Sequence, residues 1–249
     1  MVQENAKSVE HRKYLEDIKV YLKENPGFLL NINKGSFCLD KDDYFDIAKY
    51  YVDLYPENIL DIDIHKLSGN HYYKVCKVMA QHGVLGSVCF GKIKLECPEQ
   101  ANNFCYDIML TAITNAIRVN NILKVQSCFV HNLGQEYVTK ADWAYLKLFA
   151  YFTCSFSSQI YKHDIINFMK SGLINEGEIS RVQKKISDII AIISDLQVLN
   201  GISLSITNKT ETIPQIKTAR YEICANILNR IKELEQIKPA CHGKSGIIR

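Results

Sequence analysis

The stretch from Trp143 to Tyr161 reads WAYLKLFAYFTCSFSSQIY. It carries one charged residue, Lys147, and its apolar or small side chains fall on every face of a helix. A helix that is apolar all round is either buried in a protein core or spans a membrane. A membrane span needs about 20 predominantly apolar residues, whereas this stretch contains a lysine and ends in a serine-rich segment. We therefore expect a buried core helix that anchors the fold.

The composition is that of a folded globular protein. The chain has 249 residues, of which 47% are hydrophobic and 23% charged, so it can form one large domain or two small ones. It contains five prolines and no low-complexity tract, which argues against extended disorder. The net charge of +3 is too close to balance to indicate a nucleic-acid-binding protein.

Helical periodicity recurs along the chain, and Asp40 and Thr139 are well suited to cap helix N-termini. Three segments lack that periodicity. Residues 28–39 suggest a small hairpin, residues 84–95 an irregular segment or short strand, and residues 202–206 a strand or extended connector. A break in the core helix is predicted at residues 162–163. Helices are predicted over residues 3–24, 41–54, 68–83, 98–119, 122–131, 139–161, 164–170 and 178–199, and from residue 214 to the stop at Pro239.

The segment Glu178–Leu199 has the most regular apolar pattern in the chain. Its apolar residues alternate at spacings of three and four, which is typical of a helix-pairing seam. The last helix offers a similar stripe, so we expect the two helices to pair antiparallel within the chain. The alternative is an outward-facing stripe that forms a homodimer through residues 178–199. The two stripes consist of Ile179, Val182, Ile186, Ile189, Ile193 and Leu196, and of Ile223, Ile227, Ile231 and Leu234.

These patterns predict a mainly α fold. We expect a multi-helix globular domain with a C-terminal antiparallel helical hairpin and at most a minor β element. Punctuation in the sequence divides it into an N-terminal helical region (1–96), a central helical core (97–175), and a C-terminal helical hairpin with a basic tail (176–249). The three segments are expected to form one compact unit.

The cysteines indicate a reducing compartment. There are nine, an odd number, and several lie inside apolar helical runs where a free cysteine behaves as a small hydrophobe. The residues after Met1 contain no apolar segment of the kind found in signal peptides. We therefore expect a cytoplasmic protein with reduced thiols and no membrane span.

Motifs for phosphate and metal binding fail on inspection. Gly243-Lys244-Ser245 resembles the end of a phosphate-binding loop, but position 238 is lysine where that loop needs glycine. The acidic run Asp40–Asp43 lacks the glycine that a calcium loop needs at its sixth position, which is Phe45. No CxxC or HExxH pattern occurs, so the sequence predicts neither a metal nor a cofactor.

A cysteine nucleophile activated by histidine is the enzymatic alternative. Such a site needs a thiolate beside an imidazole, with a third group to orient the ring. Cys89 lies in a glycine-rich segment and is the candidate nucleophile, although nothing in the sequence pairs it with a particular histidine. No GxSxG motif is present. The candidate bases are His71, His82, His131 and His163.

The leading functional hypothesis is non-catalytic. Half-exposed tyrosines suit protein interfaces, and the chain has fourteen, including the pairs Tyr50-Tyr51 and Tyr72-Tyr73. Tyrosines pack more often at the edges of a core, so the absence of a catalytic motif is the main basis of the prediction. We predict a helical protein–protein interaction or regulatory module whose partner is another protein. An enzyme with a cysteine–histidine site and an RNA-binding helical protein are the alternatives. The RNA hypothesis lacks a basic motif interleaved with aromatic residues, because the lysines are scattered.

Overall fold

The structure is a computed structural model and describes residues 2–34, 37, 39–55, 58, 61–83, 85–86, 88–121, 128–129, 132–153, 159–207 and 213–237. Side chains are described for all of these except residues 2–8, 159–161 and 205–207. Within these ranges the chain forms eleven α-helices and no strand. They are α1 (Val2–Glu24), α2 (Leu29–Asn33), α3 (Lys41–Leu54), α4 (Gly69–Gln81), α5 (Phe90–Glu96), α6 (Ala101–Arg118), α7 (Lys140–Thr153), α8 (Gln159–Lys170), α9 (Glu176–Ile192), α10 (Leu196–Thr207) and α11 (Pro214–Ile237).

The predicted mainly α, multi-helix fold is confirmed, and so are its two N-terminal caps. The Asp40 carboxylate accepts hydrogen bonds from the backbone N–H groups of Asp42 and Asp43 at the start of α3. Thr139 Oγ1 accepts one from the Asp142 N–H, 3.1 Å away, at the start of α7. Each cap satisfies donors that the first helical turn leaves without partners.

The chain packs into two compact units. The first contains residues 1–112 and 136–138, and the second contains residues 113–135 and 139–249. The boundaries of the predicted segments 1–96, 97–175 and 176–249 stay predictions.

Helix α3 is the centre of the first unit, with α1 and α4 packed against it. Ile47, Tyr51 and Val52 of α3 are completely buried. His11 of α1 lies 2.8 Å from the Asp43 carboxylate. His71 of α4 and His82, the residue that follows α4, lie near further carboxylates of α3. These polar contacts flank an apolar core, so α3 is held from two sides.

Helices α1, α3 and α4 of this unit run in the same direction. Contacts between α1 and α3 join residues 32 positions apart near both ends, His11 with Asp43 and Lys23 with Tyr55. A constant offset of this kind means that the helices are parallel. The segments between these helices must therefore carry the chain back to the end at which the previous helix began. Helix α2 and the 3₁₀ turns Pro26–Phe28 and Ile64–Lys66 lie in those segments.

Helix α7 is the centre of the second unit. Its residues from Trp143 to Thr153 are all buried, and α8, α9 and α10 pack against it. The prediction of a buried core helix is confirmed, because Leu148, Phe149 and Phe152 have no exposed surface. None of the helices in the described ranges is both long and apolar enough to cross a bilayer.

Lys147, the one charge in the quoted stretch, is buried in this core. Its side chain is 2% exposed and forms an ion pair with Asp164 of α8. Its ammonium also lies 5.6 Å from the centre of the Trp143 ring. A buried charge is tolerated when it is paired and hydrogen-bonded, so Asp164 is the residue that permits a lysine here.

The isoleucine stripes of α9 and α11 meet within the chain, as predicted. Ile186 and Ile189 of α9, and Ile223 and Ile227 of α11, are 0–3% exposed. Their direction, however, was predicted wrongly. Gln183 contacts Glu222 and Ser187 contacts Asn226, both 39 positions apart, so α9 and α11 run parallel.

The C-terminal antiparallel hairpin is present, but its first arm is α10. Residues at the start of α10 and the end of α11, Gln197 and Leu234 among them, line one surface cavity, which places these ends together. The predicted single helix 178–199 breaks because Asp195 caps a new one. Its carboxylate accepts hydrogen bonds from the N–H groups of Gln197 and Val198, at 2.7 and 3.3 Å. Asp195, which would also fit the polar face of one continuous helix, therefore caps the N-terminus of α10.

The predicted extended segment 202–206 is wrong, because it is helical and belongs to α10. Leu199 and Ile202, three residues apart, are both buried, and that spacing overrides the alternation with serines. Gly201 does not end the helix. It lies against the side-chain amide of Asn120, which a Cβ at this position would meet, so the glycine allows close packing.

Four other local predictions are wrong or untested. Residues 28–39 form no hairpin in the described positions, because Leu29 and Ile32 are buried at helical spacing in α2. Phe90 and Ile93 are likewise buried at helical spacing in α5, within the segment 84–95 that was expected to be irregular or a short strand. Helix α8 continues through residues 162–163 without a break. Most of the predicted element 122–131 lies outside the described residues.

The buried stripe predicts a difference between two matched substitutions on α9. Ile189→Asp places an uncompensated charge at a position 3% exposed and should lower the free energy of unfolding by about 4 kcal/mol. Ile192→Asp makes the same change at a position 64% exposed and should alter it by less than about 0.5 kcal/mol. Urea denaturation followed by circular dichroism measures both. Equal effects would contradict the assignment of the buried face.

The close approach of α4 to α5 gives a second prediction. A Cβ at Gly69 would lie 2.6 Å from the Glu96 Cβ and 2.7 Å from the Cys97 sulfur. Gly69→Ala should therefore destabilise the protein by about 1–2 kcal/mol despite the higher helix propensity of alanine. Gly27→Ala, with no atom within 4 Å of the added carbon, is the control and should be neutral. Thermal melting compares the two; a neutral Gly69→Ala would refute the contact.

Candidate functional site

Cys89, the candidate nucleophile, is an exposed residue immediately before α5. Its backbone N–H donates a hydrogen bond to the phenolic oxygen of Tyr72, 2.8 Å away. Cys76 and Cys105 are completely buried in the same unit, and burial raises the pKa of each thiol to about 12. These two thiols stay protonated at neutral pH, so they pack as small apolar side chains rather than acting as nucleophiles.

The structure brings its candidate histidines to aspartates. His71 Nε2 lies 3.2 Å from an Asp42 oxygen, and His82 Nε2 lies 3.3 Å from an Asp53 oxygen. His71 also stacks on Phe45, with ring centres 4.4 Å apart. All these contacts join α4 to α3, so the two imidazoles hold helices together.

The cysteine–histidine pair of the enzymatic alternative is not assembled in the described residues. Cys89 makes no hydrogen bond with a histidine there. His163 is exposed on α8 in the second unit, and His131 lies outside the described residues. The same ranges contain no group of three or more histidine, cysteine, aspartate or glutamate side chains arranged to hold a metal ion.

A row of three aromatic rings forms a separate feature of the first unit, which we call the aromatic surface: Tyr21, Phe28 and Phe37. The ring centres of Tyr21 and Phe28 are 4.5 Å apart, and those of Phe28 and Phe37 are 5.2 Å apart, both edge to face. Tyr21 is 50% exposed, and the two phenylalanines are partly exposed. Edge-to-face packing fixes the rings while leaving apolar area in contact with water.

The turn after α1 builds the aromatic surface. Pro26 opens the 3₁₀ turn Pro26–Phe28, where its fixed φ is favourable and its missing N–H costs nothing. The Asn25 N–H still donates to the Tyr21 carbonyl, 2.9 Å away, so the turn follows α1 directly. The turn therefore brings the Phe28 ring against the Tyr21 ring, which lies one helical turn before the end of α1.

A cavity of about 340 Å³ adjoins the aromatic surface at Phe37. The phenol of Tyr44 donates to Asn33 Oδ1 at 2.6 Å and accepts from the Asp63 N–H at 2.9 Å. The Lys66 ammonium donates to the carbonyls of Ile32 and Asn33. These bonds fix the walls before any ligand arrives. The cavity is lined by Ile32, Phe37, Leu39, Asp40, Lys41, Tyr44 and Lys66.

The cavity has the size and chemistry to receive one large apolar side chain. Its volume lies at the lower end of the range of ligand sites, about 300–1,000 Å³. Its apolar lining comes from Ile32, Phe37 and Leu39, and Lys41 is exposed at its edge. Sequence reasoning missed this site, although aromatic residues on both sides of Pro26-Gly27 were a usable signal.

In comparisons with protein-family models, with curated proteins and with solved structures, no match to this chain was found. Evidence for its function therefore comes from the chain's own side chains. Among the described residues, the aromatic surface and its cavity combine exposed apolar area, a fixed concave shape and positive charge. We take them as the candidate binding site.

The cysteine environments predict a graded reaction with N-ethylmaleimide. Among the cysteines that the structure describes, Cys89 is the exposed one and should be labelled first in the native protein at neutral pH. Cys76 and Cys105 should be labelled far more slowly, because they are buried and their raised pKa leaves a very small thiolate fraction. Peptide mapping by mass spectrometry during a time course measures the order. Cys89→Ser should leave the slow labelling of Cys76 and Cys105 unchanged; fast labelling of Cys76 would contradict the placement.

Proposed function

We propose that the protein is a non-catalytic binding module that holds a segment of another protein on the aromatic surface. The observation that carries the proposal is the row of fixed, partly exposed rings beside a preformed cavity. Aromatic anchors next to a well-packed pocket are typical of the residues that supply most of the binding energy at protein interfaces. Because the rings and the cavity walls are already fixed, little ordering cost opposes binding.

The chemistry of the site describes the partner segment. A bulky apolar side chain fills the cavity, and further apolar residues lie along Tyr21 and Phe28. The neighbouring charges are Lys41, Lys66 and Asp40, and the Asp40 carboxylate is already engaged by two backbone N–H groups of α3. The positive charge at the site therefore favours an acidic residue beside the apolar anchor.

We further propose that the protein lies in the cytoplasm, a reducing compartment. Support comes from the described cysteines, which form no disulfide with one another: Cys76, Cys89, Cys97, Cys105, Cys128 and Cys224. Exposed aromatic residues and free thiols are both compatible with an intracellular protein-binding role.

Selection of random peptides displayed on phage tests the proposed function with the full chain as bait. The enriched peptides should share a bulky apolar residue flanked by acidic ones. A labelled synthetic copy of such a peptide, measured by fluorescence polarisation, should bind Phe37→Ala at least about tenfold more weakly, because an anchor at the cavity is lost. Lys41→Glu should weaken it as well, and more so at low salt, because it reverses a charge at the cavity.

Leu95→Ala is the matched control, since Leu95 is an exposed apolar residue of the same unit that does not line the cavity. It should leave peptide affinity unchanged, and all variants should keep the wild-type melting temperature within a few degrees. Peptides that bind Phe37→Ala as well as wild type would refute the site. Tighter binding of a labelled single-stranded RNA than of any selected peptide would favour the RNA-binding alternative.

A further inference from the structure

The outer face of α11 carries a second heptad stripe beside the one that packs within the chain, and the two stripes share Ile231 at their border. Its members follow one another at alternating spacings of four and three. Tyr221 and Leu228 are 65% and 51% exposed, and the others are exposed or half-buried. The stripe consists of Lys217, Tyr221, Cys224, Leu228, Ile231 and Glu235.

The exposed members of this outer stripe lie away from the buried face of α11. At 100° per residue, Tyr221 and Leu228 lie about 100–160° around the helix from the buried Ile223 and Ile227. Cys224 and Ile231 are half-buried and lie between these two sets, so α11 exposes apolar side chains beside its buried face. A large apolar face bounded by charged residues is the signature of an interaction site.

We propose that the outer stripe of α11 pairs antiparallel with the same stripe of a second copy of this chain. The order of the residues argues for a second copy, because the stripe is complementary to itself when reversed. Reversal about Asn226 keeps heptad registry and gives three kinds of layer, each occurring twice about a twofold axis. The facing pairs are Lys217 with Glu235, Tyr221 with Ile231, and Cys224 with Leu228.

The charges select the antiparallel direction. With the helices reversed, each Lys217 ammonium lies opposite a Glu235 carboxylate at the end of the apolar layers, and the dimer contains this attraction twice. A parallel pair would instead bring lysine against lysine and glutamate against glutamate, which is repulsive. Lys217 also lies 5.9 Å from its own Tyr221 ring centre, close to the apolar layers.

The size of the stripe sets the strength of the dimer. From Lys217 to Glu235 the helix rises about 27 Å, so each copy contributes about five turns of one helix. A contact of this extent is small compared with obligate interfaces, so the dimer should dissociate in the micromolar range. The inference uses α11 alone and does not depend on the aromatic surface or its proposed partner.

A homodimer through residues 178–199 would use a different surface of the protein. The isoleucine stripe of α9 is already buried within the chain, and Ile192 is the large apolar residue that this helix exposes. Substitutions at Leu228 and at Ile192 therefore distinguish the two surfaces.

Sedimentation equilibrium of the full chain from micromolar to millimolar concentrations tests the proposal. Wild type should move from monomer to dimer across this range. Leu228→Asp should stay monomeric throughout with an unchanged melting temperature, because the residue is half exposed and its new charge is solvated in the monomer. Ile192→Asp should dimerise like wild type. A wild-type monomer at every concentration, or a dimer that survives Leu228→Asp but not Ile192→Asp, overturns the proposal.

Charge reversal tests the direction without touching the apolar layers. Lys217→Glu and Glu235→Lys, each alone, should raise the dimer dissociation constant about tenfold, because two attractive contacts become repulsive. The double variant restores the attraction with the signs exchanged and should return to near the wild-type value. A double variant weaker than either single one would overturn the antiparallel pairing.

Discussion

Burial of α7 on every side is the constraint on which the second unit depends. A helix lined all round with tryptophan, tyrosine, phenylalanine and leucine exposes apolar area in every direction, and a single neighbour can cover only one stripe of it. Helices α8, α9 and α10 pack against it, and α11 in turn covers α9 and α10. Lys147 adds a polar constraint, because its buried charge has to be paired with the Asp164 carboxylate. That ion pair sets how α8 lies along α7.

The first unit uses a different arrangement around α3. The polar residues of this helix face its neighbours: Asp43 meets His11, Asp42 meets His71, and Asp53 meets His82. Each contact is modest in a partly solvated setting, but together they set the register of two helices against a third. The sequence made His71 and His82 candidates for catalysis, because imidazole is a common general base. Their neighbours show that they contribute to helix packing.

Long periodic helices and capping residues were readable from the sequence, whereas short helices and ring contacts were not. Eleven consecutive buried residues in α7 leave little alternative to a core helix, and Asp40 has the local chemistry of a cap wherever the chain goes. By contrast, serines alternate with apolar residues in α10 as they would in a strand. Its helical conformation depends on contacts with other helices, which the local pattern does not show. The aromatic surface depends on a turn at Pro26 that brings Tyr21, Phe28 and Phe37 together. No periodicity links those positions, so their contact could not be predicted from spacing.

The parallel pairing of neighbouring helices has a consequence for the order in which the chain assembles. The α9–α11 contacts join residues 39 positions apart, and those between α1 and α3 join residues 32 apart. Contacts that close long loops lose chain entropy before they gain packing energy, whereas an antiparallel hairpin forms its first contacts next to its turn. We expect α10 and α11 to dock first, and α9 to be added to a surface that already exists. Folding of the second unit should then slow when the α10–α11 contact is weakened, whereas weakening α9 should chiefly accelerate unfolding.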